Sequence, residues 1–181
     1  MDTRKQIIEA MFELLHNYPI EKITGDMIAE QSGLSRTSFY RKFQDKYHLM
    51  TMCYADYADK IVEKEIEDGD WAAAIEKSLQ FIFENKKVFE NLFKNEGPDS
   101  FSKYLYADFL RKLRENYMKL KGIRKLTLYE DYTIKLYISG MVHCEAEWAK
   151  SGMNLPPNEL TQIIMDAMPD PIKSVIIKTV E

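Results

Sequence analysis

The chain has 181 residues, of which 45% are hydrophobic and 30% charged, and its formal net charge is −4. It can form one domain or two small ones with a sizeable core. It has no apolar run near the ~20 residues that span a bilayer and no signal-peptide pattern, so we expect a cytoplasmic protein without a membrane partner. Two distant cysteines, Cys53 and Cys144, exclude a disulfide framework, and we expect both to be buried free thiols.

The negative charge is unevenly distributed. The first 50 residues hold seven Lys or Arg and seven Asp or Glu, so the net charge of −4 belongs to the rest of the chain. An acidic chain taken as a whole argues against a nucleic-acid partner. The N-terminal part is nearly neutral, so binding of this part to a nucleic acid is not excluded.

Helical spacing of apolar residues dominates the whole sequence, and Gly and Pro stand at segment ends. We therefore predict an all-α fold of about nine helices. A capping box of Thr3 and Gln6 predicts the start of the first helix, which ends near residues 17–19. Thr24 is the predicted N-cap of a short second helix that Gly33 closes, and Ser35 is the predicted N-cap of a third, at about residues 36–42.

The later helices are also delimited by caps and breakers. Asp45 is the predicted N-cap of a long fourth helix that ends at Asp68-Gly69-Asp70, and Asp70 is the predicted N-cap of one helix reaching about residue 93. The remaining predictions are a helix at about residues 99–120 after Gly97-Pro98, one from a Thr127–Glu130 capping box to about residue 149, one from Pro156-Pro157 to about residue 168, and a last one opened by Asp170-Pro171.

Two short helices joined by a tight glycine turn are typical of a helix-turn-helix. Its second helix would present Arg36, Thr37, Ser38, Arg41 and Lys42 to the major groove of DNA. Lys46 is at the first position of the fourth helix, so its cation lies at the positive end of the helix dipole. This placement costs about 0.3–1 kcal/mol of stability. A phosphate bound at the same helix end would offset that cost. The alternative is a set of solvated polar residues on a small bundle.

The segment from Thr24 to Leu49, TGDMIAEQSGLSRTSFYRKFQDKYHL, resembles the N-terminal DNA-binding domain of the TetR/AcrR transcriptional regulators. The resemblance covers about residues 3–50, with departures at Asn17, Ser32 and Thr37. It implies that Thr24, Tyr40 and Lys46 contact phosphates, although Tyr40 can also be read as a core aromatic. The predicted DNA-binding residues are Thr24, Ser35, Arg36, Thr37, Ser38, Tyr40, Arg41, Lys42 and Lys46.

The resemblance also implies a division at residue 46, with a DNA-binding domain at residues 1–46 and a sensing and dimerisation domain at residues 47–181. Aromatic and methionine side chains are candidates for an effector pocket, namely Phe89, Phe93, Phe101, Tyr104 and Met141. Two apolar stripes near the end are candidates for a dimer interface, namely Ile134, Tyr137, Ile138, Met141, Trp148, Leu160, Ile163 and Ile164. In both cases the alternative is that the side chains fill the protomer's own core.

His143 and Glu147 lie one helical turn apart and could share a metal, but no third ligand has suitable spacing, and a histidine hydrogen-bonded at a helix interface is the commoner case. There is no catalytic motif, so we expect neither an enzyme nor a cofactor. The expected function is that of a TetR-like homodimeric repressor, which binds a near-palindromic double-stranded DNA operator and releases it on binding an unknown small-molecule effector. The alternative is a helical co-regulator that acts through a partner protein.

Overall fold

The structure, a computed structural model, describes residues 2–97 and 100–177, without the side chains of Tyr57 and Asp59. Over these residues the chain has ten α-helices, one 3₁₀ turn and no strand, which confirms the all-α prediction. The helices are α1 (Thr3–Asn17), α2 (Gly25–Ser32), α3 (Arg36–Lys42), α4 (Lys46–Asp68), α5 (Trp71–Glu84), α6 (Lys86–Lys94), α7 (Phe101–Lys121), α8 (Leu128–Lys150), α9 (Pro157–Asp166) and α10 (Asp170–Ile176), and the 3₁₀ turn is Ile20–Lys22.

Most predicted helix starts are confirmed by cap hydrogen bonds. The side chains of Thr24, Ser35, Asp45 and Asp70 each accept a backbone N–H from the first turn of α2, α3, α4 and α5. The Thr127–Glu130 capping box opens α8. Such caps occupy backbone donors that have no partner within the helix, which is why a short polar side chain is a reliable start signal.

The prediction for the start of α1 was wrong. Asp2 is the N-cap, and its carboxylate accepts the N–H of Arg4 at 2.9 Å. Thr3 is the first helical residue, so it forms no capping box with Gln6. The aspartate one residue earlier offers an equally good cap and extends the helix by one position.

The single helix predicted from residue 71 to about 93 was also wrong, because the chain breaks at Asn85 between α5 and α6. The Asn85 side-chain amide donates to the Phe81 carbonyl at 2.9 Å, and the main-chain carbonyl of Asn85 accepts the N–H of Val88 at 2.9 Å. Asparagine competes in this way with the helical ladder. Farther on, α7 begins after the N-cap Ser100, and the predicted helix start at Asp99 lies outside the described residues.

The N-terminal helices share one hydrophobic core with the rest of the protein. The Phe12 ring of α1 stacks on Phe81 of α5, with ring centroids 6.2 Å apart. The Leu15 carbonyl of α1 accepts a hydrogen bond from Asn91 of α6 at 3.2 Å. Helix α1 is therefore fixed to the C-terminal helices as well as to α2 and α4.

The two cysteines differ. Cys53 is buried, with Sγ 3.5 Å from the Ile8 carbonyl, as expected, but Cys144 is exposed, contrary to the prediction. Among the described residues, no helix combines the length and the apolar character needed to cross a bilayer.

Candidate nucleic-acid interface and effector cavity

The helix-turn-helix is built around three buried side chains, Ile28 of α2, Phe39 of α3 and Phe43 directly after α3. The turn between the helices depends on Gly33, whose φ of +66° lies in the left-handed region. This conformation lets the Leu34 N–H bond the Ala29 carbonyl at 3.0 Å. The core contacts and the turn together fix the direction of α3.

One side of α3 faces solvent. Arg36, Thr37, Tyr40 and Arg41 are exposed, and their spacing places them within one arc of the helix. Lys42 is exposed on a different side, and Ser38 is only partly exposed. The Ser35 hydroxyl accepts the Ser38 N–H at 3.2 Å, so Ser35 acts as the cap of α3.

Arg36 and Tyr40 form a pair above the start of α2. The guanidinium carbon lies 5.6 Å from the centre of the Tyr40 ring, and Nη1 lies 3.2 Å from Oδ1 of Asp26. A Cβ added to Gly25 would lie 3.1 Å from the Tyr40 hydroxyl, so glycine makes room for that hydroxyl. Tyr40 and then Asp26 hold the pKa of Arg36 above its usual value. Asp26, which was not predicted, thus holds the Arg36 cation against the protein.

Lys46 lies in an environment that the sequence did not predict. Its ammonium donates to the main-chain carbonyls of Glu21 at 2.9 Å and Ile23 at 3.0 Å. Lys46 is the first residue of α4, as predicted, and these carbonyls stabilise its cation at that position. The contact joins the start of α4 to the segment that leads into α2.

Four of the five residues predicted for an effector pocket do not line the apolar cavity of the C-terminal helices. Phe89, Phe93 and Phe101 are buried, and the Phe101 ring lies 5.0 Å from Phe93 and 5.6 Å from Phe89, while Tyr104 packs beside them. These rings contact one another, so they form a solid aromatic part of the core. Of the predicted set, Met141 alone lines the cavity described next.

A mainly apolar cavity lies between α4, α5, α7 and α8. Its volume, counted as space open to the centre of a water molecule, is about 50 Å³. The lining residues are Tyr54, Ala58, Val62, Ile66, Trp71, Ala74, Ile75, Ser78, Phe109, Lys112, Leu113, Tyr137, Ile138, Met141, Glu145 and Met168.

Two polar atoms at this cavity lack a hydrogen-bond partner among the described residues, Oε2 of Glu145 and Nε1 of Trp71. Glu145 is only 3% exposed, and burial raises the pKa of its carboxyl to about 8. Neither residue was predicted from the sequence as part of a site. The sequence feature that could have identified Glu145 is a carboxylate on the apolar stripe of α8, at a core position between Met141 and Trp148.

The residues predicted for a dimer interface are, with one exception, buried inside the protomer. Ile134, Tyr137, Ile138, Met141, Trp148, Leu160 and Ile164 are each at most 9% exposed, which makes them core residues and corrects the prediction. Ile163 of α9 is 55% exposed. The outward side of α8 carries other apolar side chains, Leu128, Tyr129, Tyr132 and Leu136, which are 61–80% exposed.

His143 and Glu147 are both exposed, with Nε2 of the histidine 3.7 Å from Oε1 of the glutamate. His143 therefore does not lie at an interface between helices of the protomer, contrary to the commoner case expected. The part of the chain that the structure describes contains no group of three or more His, Cys, Asp or Glu side chains arranged to hold a metal ion.

Two family models match the chain. Residues 7–51 match "Bacterial regulatory proteins, tetR family", and residues 69–170 match "Transcriptional regulator C-terminal region", also a tetR-type model. No curated protein sequence matches.

Solved structures with a similar fold cover nearly the whole chain. The dihydroxyacetone kinase operon activator DhaS has a TM-score of 0.69 at 15% identity, covering 97% of this chain and 98% of its own. The repressor AlkX from Dietzia sp. has a TM-score of 0.57 at 16% identity, covering 96% and 97%. FadR from Bacillus subtilis, solved with stearoyl-CoA, has a TM-score of 0.57 at 16% identity, covering 92% and 97%.

Proposed function

The chain belongs to the tetR family of bacterial transcriptional regulators, and from this premise we propose that it is a homodimeric repressor released from its operator by a small molecule. It would act in the cytoplasm, where its DNA target lies. The observation that carries the proposal is the exposed face of α3, with Arg36, Thr37, Tyr40 and Arg41 on a helix-turn-helix held rigid by its core. An exposed arginine on such a helix can donate two hydrogen bonds to a guanine edge.

The roles within the interface follow from chemistry. Thr37 and Arg41 are exposed on the arc that we assign to the major groove. Arg36 would exchange its Asp26 partner for a base or a phosphate, since the pair is solvent-exposed and such pairs contribute only about 0–1 kcal/mol. Thr24 and Tyr40, both exposed near the start of α2, would bind phosphate oxygens.

The proposed division places residues 1–46 in the DNA-binding domain and residues 47–181 in the sensing and dimerisation domain. Helix α4 connects the two functions. Its side chains Tyr54, Ala58, Val62 and Ile66 line the cavity, and its first residue, Lys46, is bonded to the carbonyls just before α2. A ligand that displaces α4 would therefore move the helix-turn-helix with it.

Dimerisation would use the outward side of α8, because its four apolar side chains are exposed and the inward stripe is not available. Two copies would bring two α3 helices to one duplex, with operator half-sites separated by one or more helical turns of roughly 34–36 Å. The regulator would leave its operator because ligand binding favours a spacing of the two α3 helices that does not fit the DNA. The similar FadR structure contains stearoyl-CoA, which supports small-molecule binding by this fold.

DNA binding is tested by selecting bound fragments from the source genome and measuring the affinity for the selected site against salt. The slope of log K against log salt should be steep, by about −0.9 for each neutralised phosphate. Arg41→Ala should weaken binding, whereas the matched variant Lys87→Ala, at an exposed position on α6, should not. No selected fragment, or equal losses in both variants, would contradict the proposed interface.

Repression is tested with a reporter under the selected operator. Deleting the regulator should raise expression of the reporter, and a fall in expression would instead make it an activator.

The dimer is tested by light scattering of Leu136→Glu, which should become monomeric. The matched control is Leu120→Glu, at an exposed position on α7, and this variant should remain dimeric. A dimeric Leu136→Glu variant would place the interface elsewhere.

A further inference from the structure

The cavity between α4, α5, α7 and α8 contains an unsatisfied acceptor and an unsatisfied donor. Oε2 of Glu145 and Nε1 of Trp71 are buried and have no hydrogen-bond partner within the described ranges, and both residues line this cavity. Buried polar groups are nearly always paired in folded proteins, and each exception needs a reason. Two such exceptions at one cavity mark it as a candidate binding site.

We propose that this cavity binds a compact aromatic amine, whose protonated nitrogen donates to Glu145 and whose ring face lies against the Trp71 N–H. The inference rests on the proposed function, because it takes a ligand in the C-terminal region to be the regulatory signal. It adds the chemical class of that ligand.

The other polar groups of the lining already have partners. The Tyr54 hydroxyl lies 2.8 Å from the Ser78 hydroxyl, and the Tyr137 hydroxyl donates to the Ile164 carbonyl at 2.9 Å. The Lys112 ammonium lies 2.8 Å from a carboxylate oxygen of Asp108, so its charge is balanced. Glu145 supplies the carboxyl group among the described lining residues, and its ionised form would pair with a cation.

The shape and chemistry of the walls also suit an amine. The aromatic residues Tyr54, Trp71, Phe109 and Tyr137 line the cavity, and aromatic rings attract cations in water-poor sites. An anionic ligand would find no counter-ion, because the Lys112 ammonium already lies beside Asp108. A cationic ligand, by contrast, would pair with the carboxylate that Glu145 becomes when it gives up its proton.

The cavity volume of about 50 Å³ has room for only a few water molecules, whereas ligand sites usually measure about 300–1,000 Å³. The occupant must therefore be small, and its entry must widen the cavity. Met141 and Met168 in the wall are flexible enough to move aside. Widening of the cavity would displace α4, and Lys46 at the start of α4 would move with it.

The test is titration calorimetry of the full-length protein with three ring compounds of similar size, benzylamine, benzyl alcohol and benzoate. At neutral pH the Glu145 carboxyl holds a proton, since burial raises its pKa to about 8. Binding of the cation should therefore release close to one proton per ligand, measured by repeating the titration in buffers of different ionisation enthalpy. Benzylamine should bind more tightly than benzyl alcohol, and benzoate should not bind.

Glu145→Gln should lower the affinity for benzylamine by about 10- to 100-fold, the loss expected for a charge-assisted hydrogen bond, and should abolish the proton release. Glu147→Gln, an exposed position on the same helix, is the matched control and should bind benzylamine as the original protein does. Trp71→Phe should keep the preference for the amine, since it removes the donor alone.

Undetectable benzylamine binding, equal or tighter binding of benzyl alcohol, or an unchanged affinity in Glu145→Gln would overturn the inference. Failure of the proposed function is seen separately, in the absence of any selected operator fragment. If benzylamine binds through Glu145 but leaves operator occupancy unchanged, the result supports the proposed ligand class and contradicts a regulatory role for the cavity.

Discussion

Replacing Glu145 by glutamine should change how the stability of the protein depends on pH. The folded protein holds the Glu145 proton up to a pKa of about 8, whereas the unfolded chain releases it at an ordinary value of 4.5. Because the folded pKa is the higher one, the folded state binds more protons between these values. The stabilisation is complete below pH 4.5 and is lost as the pH rises through about 8.

The size of the effect follows from that interval. At 1.36 kcal/mol per pH unit, the interval amounts to about 5 kcal/mol in full, of which about 2–3 kcal/mol falls between pH 6 and pH 9. The neighbouring Tyr54 and Tyr137 do not titrate in this window, since burial raises the pKa of each above its usual value of 10. Lys112 stays paired with Asp108.

The assay is reversible urea unfolding, followed by circular dichroism at several pH values and at one fixed protein concentration, because the proposed dimerisation would make stability concentration-dependent. From pH 6 to pH 9 the unfolding free energy of the original protein should fall by about 2–3 kcal/mol more than that of Glu145→Gln. Glu147→Gln should follow the original protein. Parallel curves for the original protein and Glu145→Gln would refute the buried, unpaired carboxyl.

Three further predictions concern the N-terminal helices. Gly33→Ala should cost roughly 1–2 kcal/mol, because alanine is strained at a φ of +66°, and an unchanged melting temperature would contradict the turn geometry. Lys46→Met should cost about 0.5–1.5 kcal/mol by removing two hydrogen bonds to carbonyls that water can still reach and should weaken operator binding without changing sequence preference; an altered preference in a binding-site selection would make it a base-reading residue. Asp26→Asn should free Arg36 and tighten duplex binding by up to about fivefold, since the exposed pair contributes about 0–1 kcal/mol, and weaker binding in a titration would assign Asp26 a role in the interface itself.

Local chemistry made the helix starts readable from the sequence. Thr24, Ser35, Asp45 and Asp70 are short polar side chains directly before apolar periodic segments, and each caps a helix. Where two neighbouring residues can cap, as with Asp2 and Thr3, the sequence does not decide between them. The break at Asn85 was missed because asparagine also occurs within helices, and nothing in the sequence shows that its side chain bonds the Phe81 carbonyl here.

The C-terminal region was harder to predict because periodicity identifies an apolar stripe but not what covers it. The α8 stripe with Ile138 and Trp148 was a candidate for a dimer interface, with the protomer's own core as the alternative, and both side chains are buried inside the protomer. Phe93 and Phe101 were equally good candidates for a pocket and for a core, and the distance between their rings assigns them to the core. Glu145 could have been recognised as an acidic residue on an otherwise apolar stripe.

The anchoring of α1 limits how this protein can be re-engineered. Its Phe12 ring and its Leu15 carbonyl contact α5 and α6, and the Ile8 carbonyl lies 3.5 Å from the Cys53 thiol of α4. A fragment that ends at residue 46 would leave these apolar surfaces exposed to water. A chimaera that transfers this operator specificity to another regulator must therefore include α4 and preserve the docking surface for α1, or exchange only the exposed side chains of α3.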